Sequence, residues 1–330
     1  MRETARAIAG VFAAGWLTTV LAGCASMPGS PGLADGGGFP GAGGPASAAD
    51  LARKWGPIIP GAHFHHVRMN VLNREASLAF YTSRLTGVKA RYGDGQDALW
   101  TQRSWILFNE VKTPAPLEAG TAVEHFGWGS PDAPAEFKRQ KALGTPFETE
   151  MRDISVGLGG KPGQFFFMYL RGPDGEIIEV NTRTDTNFGH IHMESADPMA
   201  AAAWYRNLFG TVEAPPYFAD EVVQTGAGKT ARIFFDNINM IIVPSRNPAI
   251  RSTLGSVIDS IGVAVPNLDA AMAAARAHNI KVLAEPVAGP GAGDRHAMIE
   301  GPDKLAIELI EDHGGHPPVT NALIPIAANH

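Results

Sequence analysis

Three short stretches of this chain put a metal-binding type of side chain on the polar face of a strand. In the run from His66 to Val71 apolar and polar residues alternate. Val67, Met69 and Val71 therefore share one face, and His66, Arg68 and Asn70 the other. From His125 onward Phe126 and Trp128 alternate with His125, Gly127 and Gly129. Around Glu179, Ile178 and Val180 point to the core and the carboxylate points away. Two imidazoles and one carboxylate on polar faces suit a divalent cation, and a three-donor set leaves coordination positions open for a small molecule. A histidine on a strand also serves as an ordinary hydrogen-bond partner, and that alternative applies to each of the three taken singly. His65, next to His66, is expected to point away from them.

These strands belong to a fourfold pattern. Segments starting at His66, His125, His190 and Ser260 each open with a strand-like stretch and reach Asn73, Asp132, Asp197 and Asn267 at the same offset. Asn and Asp accept hydrogen bonds from the first-turn N–H groups of a helix. An amphipathic stretch follows in each, with Leu78, Phe80 and Tyr81 in one and Trp204 and Tyr205 in another. The stretches end at Gly87, Gly144, Gly210 and Asn279, residues that tolerate left-handed backbone. Strand-like runs come next, among them 104–111, 164–170, 231–237 and 239–244. Two repeats close with a related turn. Gly172-Pro173-Asp174-Gly175 leads to Glu179, and Gly301-Pro302-Asp303-Lys304 leads to Glu308.

The pattern resembles the vicinal oxygen chelate superfamily, which includes glyoxalase I, bleomycin-resistance proteins, fosfomycin-resistance enzymes and extradiol dioxygenases. The resemblance spans roughly residues 60 to 312. It implies an α+β fold of four βαβββ modules paired into two cup-shaped domains, modules one and two over 59–184 and modules three and four over 185–312. It implies that His66, His125 and Glu179 hold one divalent ion (Fe2+, Zn2+, Mn2+ or Ni2+) in the first cup, with Glu110 as a candidate fourth ligand. His190 and Glu308 occupy ligand positions in the second cup. Ser260, a poor ligand, stands at the third position there, and His192 and Glu194 share the face of His190. Catalytic candidates are Glu179 and Tyr169, since Tyr169 stands at the spacing from Glu179 that extradiol dioxygenases use. The run Gly159 to Gly163 lacks the acid/base histidine of that family, and the expected metal lies in the N-terminal half, so catechol cleavage does not follow. Tyr169 is either a substrate hydrogen-bond donor or an aromatic of the core. Arg68 either clamps a carboxylate or phosphate or closes a salt bridge at the rim. Asn70 shares its face and is the second substrate-binding candidate.

The resemblance implies a metal-dependent enzyme acting on a small organic molecule, as a dioxygenase or a glyoxalase-like lyase or isomerase. A metal-free binding or sequestering protein and a scaffold with vestigial cups are the alternatives. The N-terminus gives an expectation of place. Basic Arg2 and Arg6 precede an apolar run from Ala7 to Val20, then Leu21-Ala22-Gly23-Cys24. This resembles a lipoprotein signal (1–23) with lipid attached at Cys24, and Ala25 after the cysteine points to the outer membrane of the cell envelope, facing the periplasm. Residues 24–58 form a Gly/Pro/Ala tether, and 313–330 an irregular tail. Membrane contact is expected only through the lipid. The chain's single cysteine rules out an internal disulfide and a thiolate metal cage. A net charge of −6 without a basic run argues against a nucleic-acid partner.

Overall fold

Asn and Asp side chains start the four α-helices of the described residues, as expected. Asn73, Asp132, Asp197 and Asn267 each accept a hydrogen bond from the backbone N–H three residues on, each worth about 1 kcal/mol. Gly144, Gly210 and Asn279 follow the helices with left-handed φ of 66°, 80° and 57°. The computed structural model describes residues 56–312 apart from 94, 102, 215–223, 226–227, 237, 248 and 290–293. The expected signal, Cys24, nearly all of the tether and the tail lie outside the described residues.

Module one comprises β1 (His63–Val71), α1 (Arg74–Arg84), β2 (Val88–Tyr92), β3 (Gln96–Thr101) and β4 (Ser104–Glu110). Module two comprises β5 (Val123–Ser130), α2 (Ala133–Ala142), β6 (Phe147–Asp153), β7 (Phe166–Arg171) and β8 (Ile177–Thr182). Module three has β9 (Phe188–Ser195), α3 (Pro198–Phe209), β10 (Val212–Glu213), a small hairpin of β11 (Gln224–Thr225) and β12 (Gly228–Lys229), then β13 (Ala231–Phe235) and β14 (Ile238–Pro244). Module four has β15 (Ile258–Val265), α4 (Leu268–Ala277), β16 (Val282–Ala288), β17 (Arg295–Glu300) and β18 (Ala306–Glu311). The α+β architecture of four βαβββ modules in two cups is therefore present.

The pairing of the modules differs from the sequence expectation. Sheet one runs β16-β17-β18-β15-β1-β4-β3-β2 and joins module one to module four. Sheet two runs β10-β13-β14-β9-β5-β8-β7-β6 and joins module two to module three. The expected domains 59–184 and 185–312 are thus replaced by one sheet from the two ends of the folded region and one from its middle. All four modules offer a similar opening-strand edge, so the repeat alone does not say which edges meet. At the seam of each sheet a histidine faces a glycine. A Cβ on Gly262 of β15 would lie 2.0 Å from His66 Nδ1, and one on Gly127 of β5 would lie 2.2 Å from the His190 ring. Only glycine at those two positions lets the opposing imidazole lie over the partner strand.

One core serves both sheets. Val67, Met69 and Val71 of sheet one are buried with Phe126, Trp128, Ile178 and Val180 of sheet two. The α1 side chain Tyr81 bridges them, with its ring 5.5 Å from Phe108 and 5.9 Å from Trp128. Its hydroxyl donates to Glu176 Oε1 at 2.6 Å. Glu176 is fully buried in the turn that precedes Glu179, and burial pushes its carboxyl up to about 7. The corresponding residue after the other turn is Leu305, also fully buried.

A group with a raised carboxyl pKa holds its proton in the folded state after the unfolded chain has lost it. Stability from Glu176 therefore falls as pH climbs from 4.5 to about 7 and then levels. The loss is on the order of 3 kcal/mol. Glu176→Gln, which keeps an acceptor for Tyr81, is expected to lack this slope. Denaturant unfolding of both proteins across that window checks it, and parallel curves would refute the titration of Glu176.

Candidate metal centre

Sheet two gathers the donors. His125 of β5 and Glu179 of β8 meet with His125 Nε2 2.7 Å from Glu179 Oε2. The third member is His190 of β9, whose Nε2 lies 3.4 Å from the same oxygen. All three are buried, and one donor atom from each lies within 4.8 Å of the others. Asn181 Nδ2 donates to the other carboxylate oxygen at 2.8 Å and fixes its plane. The fit to a divalent cation rests on donor chemistry and on orphaned atoms. Buried polar atoms are almost always paired, yet Nδ1 of His190 has no hydrogen-bond partner among the described residues, and its Nε2 makes only the 3.4 Å contact with Glu179. Burial pushes His190 down to about 4, so it is the neutral imidazole that binds a cation. Burial works against the charge of Glu179 too, but the facing rings of His190 and His125 outweigh it and hold the carboxyl well below its ordinary value.

The expected trio is therefore only partly assembled. His66 belongs to sheet one, where its Nε2 lies 3.2 Å from Glu308 Oε2. His190 and Glu308, expected together in a second cup, are also separated, because the modules pair in the other order. His190 was visible as a ligand-type residue in the sequence, but its partner module was not. Glu110 is exposed on β4 and accepts from Arg74 N–H at 3.2 Å, so it is not a fourth ligand.

Two further side chains enter the sheet-two cup. The ring of His192 stacks on His125 at 4.5 Å and 17°, and Glu124 Oε2 lies 3.8 Å from His192 Nδ1. Burial opposes the charge on both, but their contact outweighs it, raising the pKa of His192 and lowering that of Glu124. Glu124 was not among the sequence candidates because alternation assigns it to the opposite face from His125. Tyr169 of β7 lies with its ring 4.9 Å from His125 and 5.0 Å from Phe167. Burial, then the charge of Glu179, raises its pKa, so it stays a phenol with a proton to donate. Glu194, on the face of His190 by sequence, accepts from Ser245 Oγ at 2.7 Å.

Sheet one repeats the strand positions with different chemistry. Arg68 donates from Nε at 2.8 Å and from Nη2 at 2.6 Å to Glu308 Oε2, and His296 Nδ1 lies 2.7 Å from Oε1. A guanidinium thus supplies the positive charge beside this carboxylate, and Arg68 is engaged in a salt bridge within the protein. Burial pushes His66 down to about 3. His65 is buried and, contrary to expectation, turns toward His66, with Nδ1 2.8 Å from His66 Nδ1. Tyr92, Trp100, Trp105 and Leu107 form a separate apolar cluster in this sheet. Asn70 is not presented to a substrate. Its amide donates to Ser256 O and Asp259 Oδ1 and accepts from Asn109 Nδ2, bonds that tie it into the wall. Ser260 is fully buried in β15, opposite Arg68.

Paired βαβββ modules whose opening and closing strands carry the polar side chains define the vicinal oxygen chelate fold. Glyoxalase I from Zea mays superposes with a TM-score of 0.59 at 15% identity, over 76% of this chain and 92% of the maize chain. A Bacillus subtilis protein described as a dioxygenase superposes with a TM-score of 0.55 at 14% identity, over 77% and 86% of the two chains. At these identities the likeness is one of fold. No family model and no curated protein sequence matches the chain.

Proposed function

We propose that the chain is a metal-dependent enzyme acting on a small organic molecule, with the cation held by His125, Glu179 and His190. The carrying observation is the convergence of two imidazoles and one carboxylate, from three strands, on one buried point. Such a set suits Fe(II) in an oxygenase or Zn, Mn or Ni as a Lewis acid. When bound, the cation polarises an oxygen of the substrate. The chain's own groups do the rest. His125 and His190 would hold it through ring nitrogens, and Asn181 keeps the Glu179 plane fixed. The phenol of Tyr169 stands beside His125 to donate a hydrogen bond to a substrate oxygen, while Phe167 offers an apolar wall to a planar substrate. The oxygenase and lyase or isomerase readings share these roles.

The same proposal puts the protein in the cell envelope, lipid-anchored at Cys24, on the strength of Leu21-Ala22-Gly23-Cys24. Outside the cytoplasm Fe(II) oxidises readily and zinc competes well for His/Glu donors. Supply of glutathione there is poor, which disfavours ordinary glyoxalase I activity. A second reading, a metal-free binding protein, is favoured by the 2.7 Å hydrogen bond between His125 Nε2 and Glu179 Oε2, which pairs two of the three donors with each other.

Elemental analysis of the full chain, isolated from the membrane fraction, tests the first reading. The expected result is one divalent ion per chain, with Cys24→Ser shifting the protein to the soluble fraction. Protein that carries no metal, and takes up none from Fe2+, Zn2+, Mn2+ or Ni2+ solutions, is the metal-free binder. A Cys24→Ser protein that stays on the membrane removes the lipid anchor from the proposal.

A further inference from the structure

Neighbours on a regular strand face opposite sides, yet Glu124 and His125 both approach His192 in the same cup. A β-bulge is the cause. Val123 pairs with Met193 and His125 with His192, which leaves Glu124 as an extra residue on its strand. Sheet one repeats the device. Phe64 pairs with Val263 and His66 with Gly262, so His65 is the extra residue there. In both sheets the bulged side chain goes to the Nδ1 edge of the histidine that follows. His65 Nδ1 is 2.8 Å from His66 Nδ1, and Glu124 Oε2 is 3.7 Å from His125 Nδ1.

His125 therefore lies between two carboxylates, Glu179 at Nε2 and Glu124 at Nδ1. A cation on Nε2 leaves the ring's one proton on Nδ1, a buried atom with no hydrogen-bond partner among the described residues. We infer that Glu124 is the positioning residue of the metal site, its carboxylate accepting the Nδ1 hydrogen of His125 and so fixing the tautomer and tilt of the ring. This rests on the metal reading above. Closing 3.7 Å to a charged hydrogen bond of about 2.8 Å asks for a shift of about 1 Å. The Glu124 side chain is 42% exposed at the rim and has room to make it. A carboxylate can only accept, whereas the histidine in the same place in sheet one can give or take a proton. The bulge residue thus marks sheet two for a cation.

Carboxylates that hold a ligating histidine this way change metal affinity about 10–100-fold. Competition of the full chain with a chromophoric chelator for Zn2+ is therefore expected to show Glu124→Ala binding about 10–100-fold more weakly. Glu124→Gln, which keeps an acceptor oxygen, is expected to recover most of the loss. The thermal midpoint of the metal-free protein should not move. Long-range proton–nitrogen spectra of the zinc-loaded protein should show the Nδ1 resonance of His125 shifting on Glu124→Ala. Equal zinc affinity together with an unmoved Nδ1 resonance overturns the assignment. If neither protein binds Zn2+, Fe2+, Mn2+ or Ni2+, the metal reading fails and the assignment falls with it.

Discussion

Replacing Glu179 with alanine is expected to lower divalent-metal affinity by at least about 100-fold, while His66→Ala leaves it unchanged. Glu179 Oε2 is the atom that both imidazoles approach, at 2.7 Å from His125 and 3.4 Å from His190. Without it two imidazoles face one another across a gap, with only a water to complete the set. Removing a charged donor from a three-donor site costs more than removing a group that merely orients a donor, which sets the lower bound. His66 has the same place in its own module as His125 and, by sequence, an equal claim on the ion. It sits on the other sheet against Glu308. Competition titrations of the two variants side by side separate the module pairing seen here from the pairing of modules one and two. Equal weakening by both would falsify the sheet-two assignment.

Arg68→Ala should cost about 3 kcal/mol of stability, the low end for breaking a buried ion pair. The Glu308 side chain is 4% exposed and Arg68 22% exposed, so solvent recovers part of the loss on the arginine side but little for the carboxylate. Burial pushes the Glu308 carboxyl up. Hydrogen bonds with His296 and His66 and then the charge of Arg68 outweigh it and hold the pKa well below the ordinary value. For a depressed carboxyl, the stabilisation is present above its unfolded pKa of 4.5 and is lost as pH falls through the folded value. In Arg68→Ala the folded value rises toward the unfolded one, so that reserve shrinks and acid unfolding begins at higher pH. The double change Arg68→Met with Glu308→Gln removes both charges and should regain most of the loss, because the buried carboxylate is no longer left unpaired. Denaturant midpoints at neutral pH, with an unfolding series toward acid, provide the check. A single variant within about 0.5 kcal/mol of the parent would show the pair to be dispensable.

Both results turn on one contrast between the two cups. Position for position, Arg68 in β1 corresponds to Gly127 in β5, each two residues after the cup histidine. Where glycine stands, the His190 ring lies over the strand, and a Cβ would meet it at 2.2 Å. Where arginine stands, a guanidinium supplies the positive charge beside the buried glutamate. The same scaffold therefore gathers two histidines and a glutamate in one cup and an internal arginine–glutamate ion pair in the other.

The sequence by itself determined everything governed by neighbours along the chain. Helix starts at Asn73, Asp132, Asp197 and Asn267 follow from side chains that bond backbone N–H groups three residues away. Strand faces follow from alternation, and the buried rows of Val67, Met69 and Val71 or Ile178 and Val180 were legible for that reason. The ligand-type residues His125, Glu179 and His190 could each be picked out one at a time. Their grouping could not, because it depends on which strand edges join, and four related modules present related edges. The joined edges are seen only in the tertiary structure, where Gly262 receives His66 and Gly127 receives His190. The bulges that bring His65 and Glu124 to the cup histidines were hidden for a similar reason. One extra residue in a ladder reverses the facing of a side chain, and it is defined only by the partner strand across from it.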